Sequence, residues 1–125
     1  MNRRRILIAD DESGIRRMYE IALMGVPNLD IDVAGDGQEL VDNVEKYPDY
    51  NLIITDYLMP RLNGVDAIRK IRELGYKGSV ILISSNDFSG DHIKEIEELG
   101  VEVVKKPVPA TYIRFQVTNY LENSQ

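Results

Sequence analysis

The sequence contains no cysteine, which excludes disulfide bonds and metal sites built on thiolates. It also has no apolar run near the roughly 20 residues that a membrane-spanning helix requires. Residues 1–5 are basic, but they lack the apolar core and the cleavage site of a secretory signal. From these absences we expect a cytoplasmic protein that does not insert into a membrane.

Positive charge is also scarce, since 15 Lys and Arg stand against 21 Asp and Glu, for a net charge of -6. Nonspecific nucleic-acid binding usually depends on a basic surface, so we expect no nucleic-acid binding by this domain. The 125 residues suit one domain, and an apolar fraction of 43% can form a core. Internal repeats, low-complexity tracts and linkers are missing. We therefore expect a single domain over residues 1–125.

Five short apolar runs rich in β-branched residues recur between turn residues, a pattern typical of β-strands. The first, third and fourth runs are apolar throughout, as expected of central strands buried on both faces. The second and fifth contain Asp32 and Glu102, which is typical of strands at the edges of a sheet. The five runs are residues 6–9, 31–34, 52–55, 80–83 and 101–104.

Segments with helical spacing separate and follow these runs. Asp36 with Glu39 three residues later predicts the start of the second helix, whereas Gly75 and Gly100 predict the ends of the third and fourth. Alternating strands and helices indicate a parallel sheet covered by helices on both faces. With the second and fifth strands at the edges, the strand order is 2-1-3-4-5. The predicted fold is α/β, a flavodoxin-like doubly wound five-stranded parallel sheet with five helices.

Polar residues follow four of the five runs. Because ligands of such sheets bind beyond the carboxyl ends of the strands, we expect these residues to converge at one edge. Each residue alone has an ordinary explanation as a turn residue or helix cap, but four strand ends together indicate a site. The residues are Asp10, Asp11 and Glu12 after the first run, Asp56 after the third, Ser84 and Ser85 after the fourth, and Lys105 and Lys106 after the fifth.

The chemistry of these residues points to phosphoryl transfer. Carboxylates at close quarters repel and retain protons unless a cation intervenes. Magnesium prefers hard oxygen ligands and commonly binds one or two carboxylates together with phosphate oxygens. A lysine and a serine hydroxyl beside the metal can hold further phosphoryl oxygens. A carboxylate is also a competent nucleophile toward phosphorus, and Asp56, on a central strand, is the best candidate.

At this point the sequence resembles the receiver domain of two-component response regulators (CheY-like) over nearly its whole length. "ILIADDE" resembles the first strand of the family with its acidic pair, and "IITDYLMPRLNG" resembles the stretch around the phosphoacceptor. "VILISS" resembles the fourth strand with its switch hydroxyl, and "VVKKPV" the lysine-proline ending of the fifth.

The resemblance implies a role for each residue of the predicted site. Asp56 matches the residue that a histidine kinase phosphorylates, and Asp11 and Asp10 match the direct magnesium ligand and its partner. The backbone carbonyl of Leu58 matches the third protein ligand of the metal. The last two matches are the switch hydroxyl and the phosphate-binding lysine, at Ser84 and Lys106.

Three positions modulate the expected behaviour. Val103 stands where the family often has an aromatic ring that turns inward on phosphorylation, which puts that form of switching in doubt. Leu58 and Asn86 occupy the two positions that flank the water attacking the acyl phosphate, and neither orients water strongly. From them we expect a long-lived phosphorylated state. The resemblance also implies a sensor histidine kinase or phosphotransfer protein as donor.

The family commonly uses its fourth helix, fifth strand and fifth helix to contact a downstream target or a dimer partner.

Two other classes of function remain open on this fold. An aspartyl-nucleophile phosphatase or phosphotransferase typically needs a second Asp two residues after the nucleophile, where this chain has Leu58. A flavin carrier needs a hydroxyl- and glycine-rich phosphate loop after the first strand, where the acidic residues 10–12 would repel phosphate. We therefore expect no enzyme activity beyond magnesium-dependent self-phosphorylation and autodephosphorylation.

Overall fold

A computed structural model describes residues 3–123 of the protein. Strands and helices alternate along this part of the chain. The strands are β1 (Arg4–Ala9), β2 (Leu29–Ala34), β3 (Leu52–Asp56), β4 (Ser79–Ser84) and β5 (Val101–Lys105). The helices are α1 (Ser13–Ala22), α2 (Gly37–Lys46), α3 (Gly64–Glu73), α4 (Asp91–Glu98) and α5 (Ala110–Asn123). In this part of the chain no helix combines the length and apolar character needed to cross a membrane.

The strands form one parallel sheet in the order β2-β1-β3-β4-β5. This confirms the predicted order, with the two strands that contain Asp32 and Glu102 at the edges. The central strand β3 is buried along its whole length, as its continuous apolar run predicts. The strand after which the expected nucleophile stands is therefore the most enclosed part of the sheet.

Side chains that alternate along the strands form a core on each face of the sheet. On one face, Leu7, Ile53 and Leu82 pack against residues of α2, α3 and α4. On the other face, Ile8 and Ile54 pack with their neighbours against α1 and α5. The two layers confirm the doubly wound architecture and leave the carboxyl edge of the sheet as the place where the polar residues meet.

Local sequence signals set the ends of several helices. Asp36 accepts a hydrogen bond from the Glu39 amide at 2.8 Å and caps α2, as predicted. Asn63 accepts one from the Asp66 amide at 2.9 Å and caps α3 in the same way. Gly100 follows α4 with a φ of +69°, a left-handed conformation that glycine adopts easily. Asp36 and Asn63 thus fix where two loops at the carboxyl edge end, whereas Gly100 ends α4 at the opposite edge of the sheet.

The start of α3 lies directly against the end of β3. A side-chain carbon at Gly64 would sit 2.4 Å from the backbone oxygen of Asp56 and 2.8 Å from Leu82. The backbones can approach this closely because glycine has no side chain. The amide of Gly64 also donates a hydrogen bond to the Tyr57 carbonyl at 2.7 Å. The first residue of α3 therefore packs directly against the backbone of Asp56.

Candidate functional site

Three carboxylates meet at the carboxyl edge of the sheet, as the strand-end pattern predicts. Asp10 follows β1 directly, Asp11 comes next, and Asp56 is the last residue of β3. One oxygen from each side chain lies within 4.8 Å of the other two. Asp10 and Asp56 are 2% and 7% exposed, whereas Asp11 is exposed to solvent. The cluster thus has two buried carboxylates and one that opens to solvent.

Burial and neighbouring charges both shift the pKa of Asp10. Burial raises the pKa of Asp10 to about 6, and the charges of Asp56 and Asp11 add to the shift. A hydrogen bond from the Glu12 amide to Asp10 Oδ1, at 3.0 Å, acts in the opposite direction. The backbone oxygen of Asp10 also accepts a 2.6 Å bond from Arg16 Nη1. These contacts hold the side chain in place despite the repulsion.

Asp56 lies between the acidic pair and a lysine. Its Oδ1 atom is 3.1 Å from Lys106 Nζ and accepts a hydrogen bond from the Tyr57 amide at 3.0 Å. Burial lowers the pKa of Lys106, but the hydrogen bond and charge of Asp56 outweigh it and raise the pKa above its ordinary value. Lys106 therefore stays cationic beside the expected nucleophile.

Ser84 ends β4 on the same edge and is buried. Its Oγ accepts a hydrogen bond from the Asn86 amide at 2.9 Å, and its backbone oxygen accepts one from the Lys106 amide at 2.9 Å. The ends of β4 and β5 are thereby joined next to the site. Ser84 Oγ thus accepts from the loop that follows β4, and we expect this loop to shift when the hydroxyl closes on a phosphoryl group.

The three expected modulators all lie at accessible positions. Leu58, two residues after Asp56, is 59% exposed, and Asn86 is exposed as well. Val103 lies on β5 and is also exposed. Beside it is a cavity of about 330 Å³ between α4 and β5, whose lining includes Phe88 and Ile96. Valine thus leaves open space where the family's aromatic residue is often found.

Three contacts around the site were not predicted from the sequence. The Tyr57 ring meets the Phe88 ring edge to face, with centroids 5.0 Å apart. Lys105 forms an ion pair with Asp87 in the segment after β4. Arg61 forms an ion pair with Asp36 across two loops, described in full below. Neither charge pattern nor hydrophobic periodicity could have indicated these contacts, because they depend on the paths of the loops.

The donor set suits a hard divalent cation. Three carboxylate oxygens lie within reach of one ion, and two of the carboxyl groups are shielded from water. Magnesium favours such oxygen ligands, and its charge would offset the burial and the carboxylate repulsion that together raise the pKa of Asp10. The residues present therefore fit a magnesium ion.

The sequence model of the response regulator receiver domain family matches residues 6–118 of this chain. The chain belongs to the receiver-domain family. Receiver domains accept phosphoryl groups in two-component signalling, and a histidine kinase or phosphotransfer protein is the partner that this family implies. Signalling, rather than catalytic turnover, is the general role of the family.

Curated relatives include the response regulator ArlR of Staphylococcus aureus, 30% identical over 102 residues, or 82% of this chain and 45% of that protein. The probable transcriptional regulator ycf27 of Porphyridium aerugineum is 28% identical over 97% of this chain and 49% of its own length. This receiver chain thus spans about half the length of the curated relatives it matches.

Solved structures agree with the fold. A CheY-like receiver domain protein from Methanospirillum hungatei superposes with a TM-score of 0.85, covering 98% of this chain and 96% of that one, at 20% identity. The N-terminal domain of an uncharacterized Wolinella succinogenes protein gives a TM-score of 0.82 at 27% identity, covering 96% and 95% of the two chains. The first likeness, at low identity, bears on the fold alone.

Proposed function

We propose that Asp56 accepts a phosphoryl group from a phosphohistidine of a sensor histidine kinase or phosphotransfer protein, and that the reaction requires magnesium. One observation carries the proposal. The Asp56 carboxylate lies within 4.8 Å of the Asp10 and Asp11 carboxylates and 3.1 Å from Lys106 Nζ. A nucleophile therefore stands between a site for a cation and a residue that binds phosphate.

In the proposed reaction an Asp56 carboxylate oxygen attacks phosphorus as the phosphorus–nitrogen bond to imidazole breaks, and the electron pair of that bond returns to the nitrogen. Lys106 Nζ, already beside Asp56, then contacts a phosphoryl oxygen. Ser84 donates its hydroxyl hydrogen to another. Water later attacks the same phosphorus, the phosphorus–oxygen bond to Asp56 breaks, and inorganic phosphate leaves as the carboxylate is restored.

Asp10, Asp11, Asp56 and the Leu58 carbonyl would hold magnesium. The ion supplies positive charge that offsets the charge of the transferred group. Within the chain, the buried Asp10 fixes one wall of the site through the Glu12 amide. We propose no turnover of external substrates, because the position where an aspartyl phosphatase has its acid/base residue holds an apolar side chain.

The phosphoacceptor can be tested by intact-mass measurement after incubation with acetyl phosphate and magnesium. We expect native protein and the exposed-site control Asp49→Asn to gain one phosphoryl group, and Asp56→Asn to gain none. Full labelling of Asp56→Asn would disprove the assignment. A colourless preparation and negligible turnover of general phosphate esters would exclude the flavin and phosphatase alternatives.

The metal site can be tested by titrating magnesium into native protein and Asp11→Asn. A ligand that binds only the folded state stabilises it by mass action, so native protein should unfold at higher temperature with magnesium than with EDTA. We expect Asp11→Asn to lose most of that gain, with Asp49→Asn unchanged. An unaltered titration in Asp11→Asn would rule out Asp11 as a ligand.

We further propose that α4, β5 and α5 form the face that contacts a downstream target or a dimer partner. Ile93, Val103 and Phe115 are exposed apolar side chains, one on each of these elements, which supports this assignment.

We also propose that residues 1–125 form one receiver domain. We propose that this domain does not bind nucleic acid, since the net charge is -6. A labelled DNA fragment whose mobility does not change when it is titrated with this domain would support the last point.

A further inference from the structure

The segment between β3 and α3, residues 57–63, is anchored at its base. The Tyr57 amide donates to the Ile83 carbonyl at 2.9 Å, and the Tyr57 carbonyl accepts from the Gly64 amide at 2.7 Å. Both ends of the segment are therefore held against the sheet. Leu58, whose carbonyl is the metal ligand in the proposed function, directly follows this anchored base.

The tip of the same segment is held by an ion pair with the start of α2. Arg61 Nε donates to Asp36 Oδ2 at 3.0 Å, and Arg61 Nη2 donates to Asp36 Oδ1 at 3.2 Å. Two parallel bonds of this kind fix orientation as well as distance. Asp36 is itself held, because its Oδ1 also accepts from the Glu39 amide as the cap of α2. We call Asp36 and Arg61 the loop clamp.

Backbone contacts place the tip tightly on α2. The Gly37 amide donates to the Pro60 carbonyl at 3.4 Å. A side-chain carbon at Gly37 would sit 2.2 Å from the Leu62 carbonyl oxygen, so only glycine permits this approach. Arg61 has a φ of +68°, which is unfavourable for a residue with a side chain. A residue kept in this conformation while making two bonds across the loops indicates a constraint on the position of the loop.

The clamp is poorly suited to stabilising the fold. The Arg61 side chain is 60% exposed and that of Asp36 18% exposed, and ion pairs so open to water contribute little to folding. The Leu58 side chain, by contrast, is exposed, and Leu58 lies between the base at Tyr57 and the tip at Arg61. The position of its carbonyl therefore depends on the base and the tip of the segment.

We propose that the loop clamp is a positioning pair that holds the Leu58 carbonyl in place for magnesium, and so sets the affinity of the metal site. This inference rests on the proposed function. The clamp itself touches neither the metal nor the phosphoryl group. It acts by restricting the path of residues 58–62, and with it the position of the Leu58 carbonyl.

The decisive variant is Arg61→Gly. Glycine adopts a positive φ without strain, so the variant removes the ion pair while keeping the backbone conformation accessible. Removing a positive charge near the site would, by Coulomb attraction alone, make magnesium bind more tightly. The clamp predicts the opposite, a dissociation constant raised on the order of fivefold in isothermal titration calorimetry.

A matched control exists at the other end of the sheet. Arg3 makes the same two-bond pair with Asp30, at 3.0 and 2.6 Å, and Arg3→Gly removes the same charge. We expect Arg3→Gly to leave magnesium affinity within about twofold of native protein. Asp36→Asn keeps a capping oxygen for α2 and should weaken binding as Arg61→Gly does, and the double variant should be no weaker than either alone.

Urea unfolding in EDTA separates positioning from folding. We expect Arg61→Gly to unfold at nearly the native urea midpoint while losing magnesium affinity. Native or tighter magnesium binding by Arg61→Gly, or losses that add in the double variant, would overturn the clamp. If Asp11→Asn also binds magnesium normally, the metal site itself is wrong and the clamp falls with it. If Asp11→Asn fails to bind but Arg61→Gly binds normally, only the clamp is wrong.

Discussion

Two neighbouring loops border the site, and they are held very differently. Residues 57–63 are bonded to β4 and α3 at the base and to α2 at the tip. Residues 85–90, after β4, are mostly exposed and are connected to their surroundings by few side-chain contacts, among them Lys105 with Asp87 and Tyr57 with Phe88. The first loop is held at its base and its tip, which suits a segment that carries a metal ligand, whereas the second has few such contacts and is the one that we expect to rearrange.

The difference matches the two tasks that the proposed function sets. A metal ligand has to be in place before the phosphoryl group arrives, because positioning contributes to the rate only when it is present in advance. The Ser84 hydroxyl, in contrast, accepts from the Asn86 amide, and we expect residues 85–90 to rearrange as the hydroxyl closes on a phosphoryl group. We therefore expect residues 57–63 to stay in place and residues 85–90 to rearrange, although both border the same site.

The largest test of this contrast replaces a glycine beside each loop. Gly64→Ala would place a carbon 2.4 Å from the Asp56 carbonyl oxygen, so we expect a loss of about 3 kcal/mol in the free energy of unfolding. Gly90→Ala meets no atom within 4 Å, but its φ of +60° and ψ of -132° lie in a region that side chains strongly disfavour, so we expect a smaller loss of about 2 kcal/mol from backbone strain alone. Urea unfolding of both variants in EDTA makes the comparison. Equal losses would show that the two loops do not differ in tolerance.

The next effect is the loss of folding stability caused by ionising the buried Asp10 carboxyl group. With a folded-state pKa of about 6, above the ordinary 3.8, Asp10 binds a proton in the native state that the unfolded state has released. Metal-free protein should therefore become less stable as the pH rises from about 4 to about 6. Asp10→Asn keeps the oxygen that accepts from the Glu12 amide and should be more stable at pH 7 by about 2 kcal/mol.

Urea titrations in EDTA at several pH values measure this effect. Asp49→Asn, at an exposed position, provides the control and should follow the native pH curve. A native curve that stays flat between pH 4 and 6, or an Asp10→Asn variant no more stable than native protein at pH 7, would contradict the proposed cost.

A smaller effect is expected on the lifetime of the phosphorylated state. Leu58 cannot orient water by hydrogen bonding, and its exposed side chain lies two residues from Asp56. Leu58→Asn should speed loss of the phosphoryl group about fivefold, equivalent to about 1 kcal/mol. Asn86→Ala, at the corresponding position of the mobile loop, should change the rate less than twofold, because a rearranging residue positions water weakly.

The measurement is a decay time course after removal of the phosphodonor, with native protein and both variants side by side. Equal or slower decay in Leu58→Asn would show that Leu58 does not control access of water. A larger effect at Asn86 than at Leu58 would reverse the assignment of the two loops.

The smallest effect concerns the restraint on the mobile loop. Asp87→Asn removes the ion pair with Lys105, and we expect amide exchange in residues 85–90 to accelerate about twofold, since exposed pairs contribute little. High salt should do the same to native protein. Beryllofluoride, a phosphoryl mimic, should alter exchange across residues 84–92 more than around Val103. A dominant change at Val103 with a silent loop would contradict this order.

Most of the fold could be predicted from the sequence because burial leaves a pattern. The apolar runs of β1, β3 and β4 required two covered faces, and Asp32 and Glu102 required edges, which together give the strand order. The carboxylate cluster followed from the same logic, since the ends of parallel strands meet at one edge. The family resemblance then assigned to individual residues the roles that remain proposals.

The contacts between loops could not be predicted, for a physical reason. Arg61 adopts a positive φ, whereas the residues that signal this conformation are glycine and asparagine. Tyr57 and Phe88 are far apart in sequence and carry no periodic signal, and their contact exists only because two loops bend toward each other. Loop conformation depends on the surroundings as much as on the local residues, so pattern analysis ends where the strands end.

The contact between Tyr57 and Phe88 also has a practical consequence. The chain has seven tyrosines and no tryptophan, so Tyr57→Trp would introduce a single indole next to Asp56 and against the mobile loop. Its emission would be free of background from other indoles. Changes in the separation of the two loops would then be visible in real time as changes in fluorescence intensity and wavelength.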